Sequence, residues 1–147
     1  MAERAGRIRL SDGTELALRI MILDIREAGV SPFGGVNFSV KAMGGITTKV
    51  VPEELRRAVA DKPTVPQESS QPPQDGWELV DIVEQEPAIA EESITSSRGR
   101  FAVRVAAEAT MAARNLSYRL VIGNASEPLY WVTWVYKVTW KPEVRGE

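Results

Sequence analysis

The sequence predicts a mainly β fold: a single-domain antiparallel sandwich or partly open barrel, with one short helix near residues 53–60. Three observations carry that expectation. Apolar residues recur at every second position in several segments, the period of a half-buried strand. The segments are bounded by turn signals such as "SDG", "SPFGG" and "GNASEP". The aromatic and β-branched residues gather in strand-length runs, above all "LYWVTWVYKVTW", Leu129 to Trp140, which holds three of the four tryptophans and two of the three tyrosines. At 147 residues the chain is one ordinary domain's worth.

In chain order, "RIRLSDGTELALRIMILDIREAG" reads as a hairpin. Ile8 and Leu10 alternate with Arg7 and Arg9, and Gly13 closes the turn. On the return segment Leu16, Leu18, Ile20 and Ile22 share one face, while Ala17, Met21 and Leu23 make the other partly apolar, the pattern of a central strand covered on both sides. "VNFSVKAM" alternates with Val36, Phe38, Val40 and Ala42 inward. Gly44 and Gly45 read as a tight turn into the β-branched "ITTKVV". "PEELRRAVAD" is the best helix, with Pro52 at its start, Glu53 and Glu54 in its first turn, and Leu55 and Val59 to dock it.

Residues 62–76, rich in proline and polar side chains, read as a mobile loop within the one domain. "WELVDIVEQEP" follows as a strand and "AIAEESITSSRG" as an acidic connector. "FAVRVAAEATMAAR" is ambiguous. Its alanines favour a second helix near residues 100–114, which would make the fold α+β. Its periodicity favours a strand, with Phe101, Val103, Val105, Ala107, Ala109, Met111 and Ala113 on one side. "SYRLVI" is a further strand, "GNASEP" a turn, and the aromatic segment the last strand.

Composition excludes several functions. Hydrophobic residues are 44% and charged residues 26%, an ordinary globular balance. The net charge of −2 gives no global attraction to nucleic acid or anionic membranes. No run is apolar for long enough to span a bilayer as a helix, and the N-terminus has no apolar stretch of signal type; a cytoplasmic location is the expectation. Without cysteine or histidine, thiol and His-based triads cannot form, and the commonest transition-metal ligands are missing. Low Asn and no Cys beside abundant Arg and Glu is a thermophile tendency, although Lys is not enriched.

On the final strand Tyr130, Val132, Trp134, Tyr136, Val138 and Trp140 fall on one uncharged face, and Trp131, Thr133, Val135, Lys137, Thr139 and Lys141 on the other. The leading reading makes the first face a core wall. The alternative makes it a platform for stacking bases, with Lys137, Lys141 and Arg119 as phosphate contacts. Trp131, on the mixed face, suggests a partner contact. The glycine pairs lack a phosphate-binding context. Glu84, Glu86, Glu91 and Glu92 match no calcium-loop spacing and read as a solvated charge run. All three asparagines stand in Asn-x-Ser triplets, at Asn37, Asn115 and Asn124; turn use accounts for the last.

The expected function is thus non-enzymatic: a structural or protein-interaction subunit, self-associating or part of a larger assembly. Partner-contact candidates are Trp131, Lys137, Lys141 and Arg119. No catalytic residue, cofactor, metal or small-molecule ligand is expected. A nucleic-acid-binding module built on the aromatic strand is the alternative.

Overall fold

The computed structural model describes residues 2–65 and 73–143. It holds strands β1 (Ala2–Arg4), β2 (Gly6–Leu10), β3 (Glu15–Glu27) and β4 (Phe38–Val50), helix α1 (Glu53–Val59), and strands β5 (Trp77–Val80), β6 (Ile82–Glu86), β7 (Ala88–Ser96), β8 (Gly99–Ile122) and β9 (Ala125–Pro142). These strands make two antiparallel sheets, which pack face to face as a sandwich, with one short helix set against β8 and β9. In sheet A, β8 pairs with β9 along one edge; along the other it pairs with β7 and then β5, and β1 lies outside β7. Sheet B runs β4-β3-β2-β6. No helix among the described residues is long and apolar enough to cross a membrane.

The core forms where alternating strands turn their apolar side inward. Sheet B contributes Ile8, Leu10, Leu16, Leu18 and Ile20, and sheet A contributes Ala88, Ala90, Val105, Ala107 and Val132. A second cluster, Val36, Phe38, Phe101 and Val103, lies at one end, where Phe38 meets Phe101 and Trp140 edge to face at 5.4 and 5.3 Å. The expected hairpin is β2–β3, with Gly13 at φ +91°. The expected helix is α1, docked by Leu55 and Val59.

Several local expectations change. The segment near 100–114 is strand, not helix, inside the 24-residue β8. Its inward parity holds only to Ala109: the register shifts between Ala109 and Met111, leaving Thr110 as an extra residue. Beyond it Met111 is exposed and Ala112 is buried. Gly44 and Gly45 form no turn, because β4 runs straight through them. Gly44 is required instead by packing: a Cβ there would stand 3.0 Å from the Trp134 ring. The acidic connector is strand β7 and a turn. "WELVDIVEQEP" divides at Asp81, β5 joining sheet A and β6 sheet B. Strand β3 is central, yet its second face is covered only at Ala17, with Met21 and Leu23 about half exposed. Of the 62–76 segment, residues 66–72 lie outside the described residues, while Thr64 bridges Arg119.

The two long sides of the sandwich differ. On one, the chain passes from sheet to sheet at Ala5 and Asp81. There Gln85 reaches from β6 to β8, its amide pairing with both the N–H and the C=O of Ala109 at 2.9 Å. Ala109 lies between the β7 and β5 pairings, so Gln85 satisfies backbone groups the sheet leaves unpaired there. On the other side, β4 and β9 face each other as edge strands across an open seam.

Candidate interaction surface

The outer face of sheet A exposes a group of large apolar side chains. Cross-strand register sets Leu79, Ala113 and Trp131 in one row, with Met111 and Thr133 in the row beside it. Leu79 is 74% exposed, Met111 55%, Trp131 50% and Val135 47%. Trp131 is held on this surface by Trp77, whose ring meets it edge to face at 5.6 Å. Trp77 is fixed in turn, its indole N–H donating to the Pro73 carbonyl at 2.6 Å. The turn before it is ordered by buried Asn115, whose amide donates to the Asp75 carbonyl and whose Oδ1 accepts from the Ser117 N–H, both at 2.8 Å. That gives one of the Asn-x-Ser asparagines a structural role.

The other three sequence candidates are not gathered around Trp131. Lys137 lies on the same face, six residues along β9, and donates to Glu108 at 3.0 Å. Lys141 is further along, near the end of β9, exposed and in no ion pair among the described residues. Arg119 serves the fold: its backbone pairs with Pro63 and Val65, and its guanidinium donates to the Ala60 carbonyl and the Ser126 hydroxyl. Sequence reasoning missed Trp77, Leu79 and Met111. The alternation of Trp77 with Leu79 could have marked the first two, whereas the bulge at Thr110 concealed Met111.

On the seam side a shallow groove of about 450 Å³ follows β9, lined by Gly45 and Ile46 of β4 and by Tyr130 and Trp134, among others. One end is closed by α1, where buried Glu127 accepts from the Thr48 hydroxyl at 2.6 Å and from Arg56 at 3.4 Å. At the other end the loop at 28–37 lies on Trp140, whose indole N–H donates to the Phe33 carbonyl at 3.0 Å.

A polar cluster forms a latch between the sheets. The Tyr130 and Thr14 hydroxyls share a hydrogen bond of 2.6 Å, and Arg114 donates to Asp12 at 3.1 Å and to Glu78 at 2.6 Å. Burial, reinforced by the Asp12 carboxylate, pushes the Tyr130 phenol up to about 12. Such a phenol stays protonated at neutral pH and offers neither a base nor a nucleophile. Among the described residues no group of three or more Asp or Glu is placed to hold a metal ion. Comparison with protein-family models, with curated proteins and with solved structures found no match.

Proposed function

We propose that the chain is a non-enzymatic protein-interaction subunit that docks into an assembly, self-association included, through the outer face of sheet A. The observation that carries this reading is Trp131: a tryptophan half exposed, braced by Trp77, and set among Leu79, Met111 and Val135 on one side of a sheet. An amphipathic ring pinned in one orientation loses little conformational freedom on binding, which is why such residues dominate interface energetics. Tyr130, Thr14, Arg114 and Asp12, the polar groups gathered between the sheets, hold those sheets together. The nucleic-acid alternative needs the aromatic face and Lys137, Lys141 and Arg119 in one place. They lie apart, and the net charge of −2 opposes phosphate binding as well.

Trp131→Ala tests the reading. The outward position predicts a melt close to that of the parent. Cross-linking and sedimentation of tagged parent and variant chains should show a copy or partner held on the Trp131 face of the parent and lost from the variant. Equal association by the two would refute it.

A further inference from the structure

Sheet B ends at β4 and β6, and sheet A ends at β9 on one side and at β1 and β5 on the other; a free edge is a row of unpaired backbone groups on which another strand can form. Four of these five edges are short or carry the usual defence, charge. Strand β4 has Lys41 and Lys49 on either side of a charge-free stretch that contains the Gly44–Gly45 pair, β6 has Glu84 and Glu86, β1 is three residues long with Glu3 and Arg4, and β5 is four residues long with Glu78. Strand β9 carries its two lysines, Lys137 and Lys141, only in its C-terminal half. From Leu129 to Tyr136 it has no charge and no proline, and among the described strands it pairs with β8 alone. The side chains there stay partly open, with Trp131 50%, Val135 47% and Tyr136 38% exposed.

We infer that this edge receives a second copy of the chain: β9 pairs antiparallel with β9 of the partner subunit about a two-fold axis at or beside Thr133. The inference rests on the reading of the chain as a self-associating interaction subunit and specifies how it associates. About that axis Trp131 lies opposite the partner's Val135, Val132 opposite the partner's Trp134, and Tyr130 opposite the partner's Tyr136. These are aromatic pairs with β-branched or aromatic neighbours, the kind that stabilises adjacent strands. Lys137 lies opposite the partner's Leu129, so no like charges meet. An axis at Lys137 would set that lysine against itself, and one at Thr139 would set Lys137 against Lys141.

The seam suits this occupant. Its groove of about 450 Å³ runs beside the edge, so inward side chains of an added strand have room. Helix α1 and the 28–37 loop cover the two ends and leave the middle of β9 clear. Sheet A would then continue through the axis as β1-β7-β8-β9-β9-β8-β7-β1, within the ordinary size of open sheets. A two-fold pairing of like patches is also the commonest way for identical chains to associate.

Thr133 offers the test, because it is exposed and its hydroxyl bonds only that of Thr110. Sedimentation should show the parent as a dimer. Thr133→Lys and Thr133→Glu, each placing like charges beside the axis, should weaken the dimer about tenfold or more, as like charges on opposed strands do. An equimolar mixture of the two should regain it as a heterodimer. Thermal melts confirm that both variants fold, and Val135→Lys, which sets a lysine against the partner's Trp131, is a second and independent perturbation of the same pairing. Amide exchange should show residues 130–136 protected in the dimer and not in either variant. A parent that stays monomeric, or variants that dimerise as the parent does, would overturn the inference. So would dimers that survive at Thr133 yet dissociate in Trp131→Ala, a result that would leave the outer-face reading standing. A strand supplied only by a different protein would overturn it too.

Discussion

Gly44 and Gly45 are adjacent in one strand, and the structure assigns them opposite tolerances. Gly44 sits on the inward side of β4. A Cβ added there would lie 3.0 Å from Ile20 Cγ2, 3.0 Å from Trp134 Cζ2 and 3.2 Å from the backbone oxygen of Arg19. Comfortable carbon contacts are about 3.5–4.0 Å. The Trp134 ring can yield a little, but the Arg19 carbonyl belongs to the neighbouring strand and Ile20 is 6% exposed. Gly44→Ala should therefore behave as overpacking and cost about 1–3 kcal/mol, lowering Tm by roughly 2–4 °C for each kcal/mol in a chain of this size. Gly45 faces outward, meets nothing within 4 Å and has no positive φ. Gly45→Ala should stabilise by about 0.4–1 kcal/mol, because it narrows the unfolded ensemble without strain. Equilibrium urea unfolding reads both, provided the slope with denaturant is unchanged. In a Trp134→Leu background the cost of Gly44→Ala should shrink, since part of the obstacle is gone. If Gly45→Ala proved the more damaging, or the two were equally so, the pair would be acting as a turn and the continuous β4 would be wrong.

Two further perturbations address the contacts between the sheets. With its phenol raised from the ordinary 10 to about 12 in the folded state, Tyr130 holds its proton where the unfolded chain has lost it, so its contribution to stability is complete below pH 10 and disappears as pH rises through about 12. Tyr130→Phe should lose about 1 kcal/mol at neutral pH with its hydrogen bonds and should flatten the fall in stability between pH 10 and 12, measured by denaturant titration; an unchanged alkaline slope would refute the assignment. Gln85→Ala leaves the N–H and C=O of Ala109, a residue 6% exposed, without partners, which should cost about 1–3 kcal/mol, whereas a cost near zero would mean that water replaces the amide.

How much of this was legible in the sequence depends on whether the relevant signal is local. The β2–β3 hairpin and the first half of β4 were, because alternation and turn residues report directly on them. The glycine pair misled, because glycine signals a turn only when the chain bends; here the cause is Trp134, ninety positions away. Strand β7 was hidden by its composition. Its inward residues Ala88 and Ala90 are small, and Glu92 falls on the inward parity, so the run reads as polar. In β8 the alternation was correct to Ala109 and then wrong by one residue. A bulge at Thr110 changes which side chains face in without any distinctive residue to announce it. That single shift moved Met111 from the expected core to the candidate surface. Trp131 was legible as a candidate because its parity could be counted along an uninterrupted strand. Its companions Leu79 and Trp77 depended on β5 pairing beside β8, a long-range fact that no local pattern records.

The aromatic strand itself serves three purposes, divided by parity and by position. Inward parity at the two ends supplies core. Tyr130 joins the polar latch, Trp134 packs under Gly44, and Trp140 meets Phe38. Outward parity supplies the exposed Trp131. Tyr136 and Val138 have inward parity and are nevertheless 38% and 37% exposed. The reason is their place in the sheet. Strand β9 is an edge, and β4 opposite it carries Ala42 and Gly44 at its inward positions, so the sandwich is thin along the seam. A core wall at an edge is covered from one side only. The apolar surface left over is continuous with a charge-free row of backbone donors and acceptors at 129–136, and it is this conjunction, more than any single tryptophan, that distinguishes β9 from the other edges.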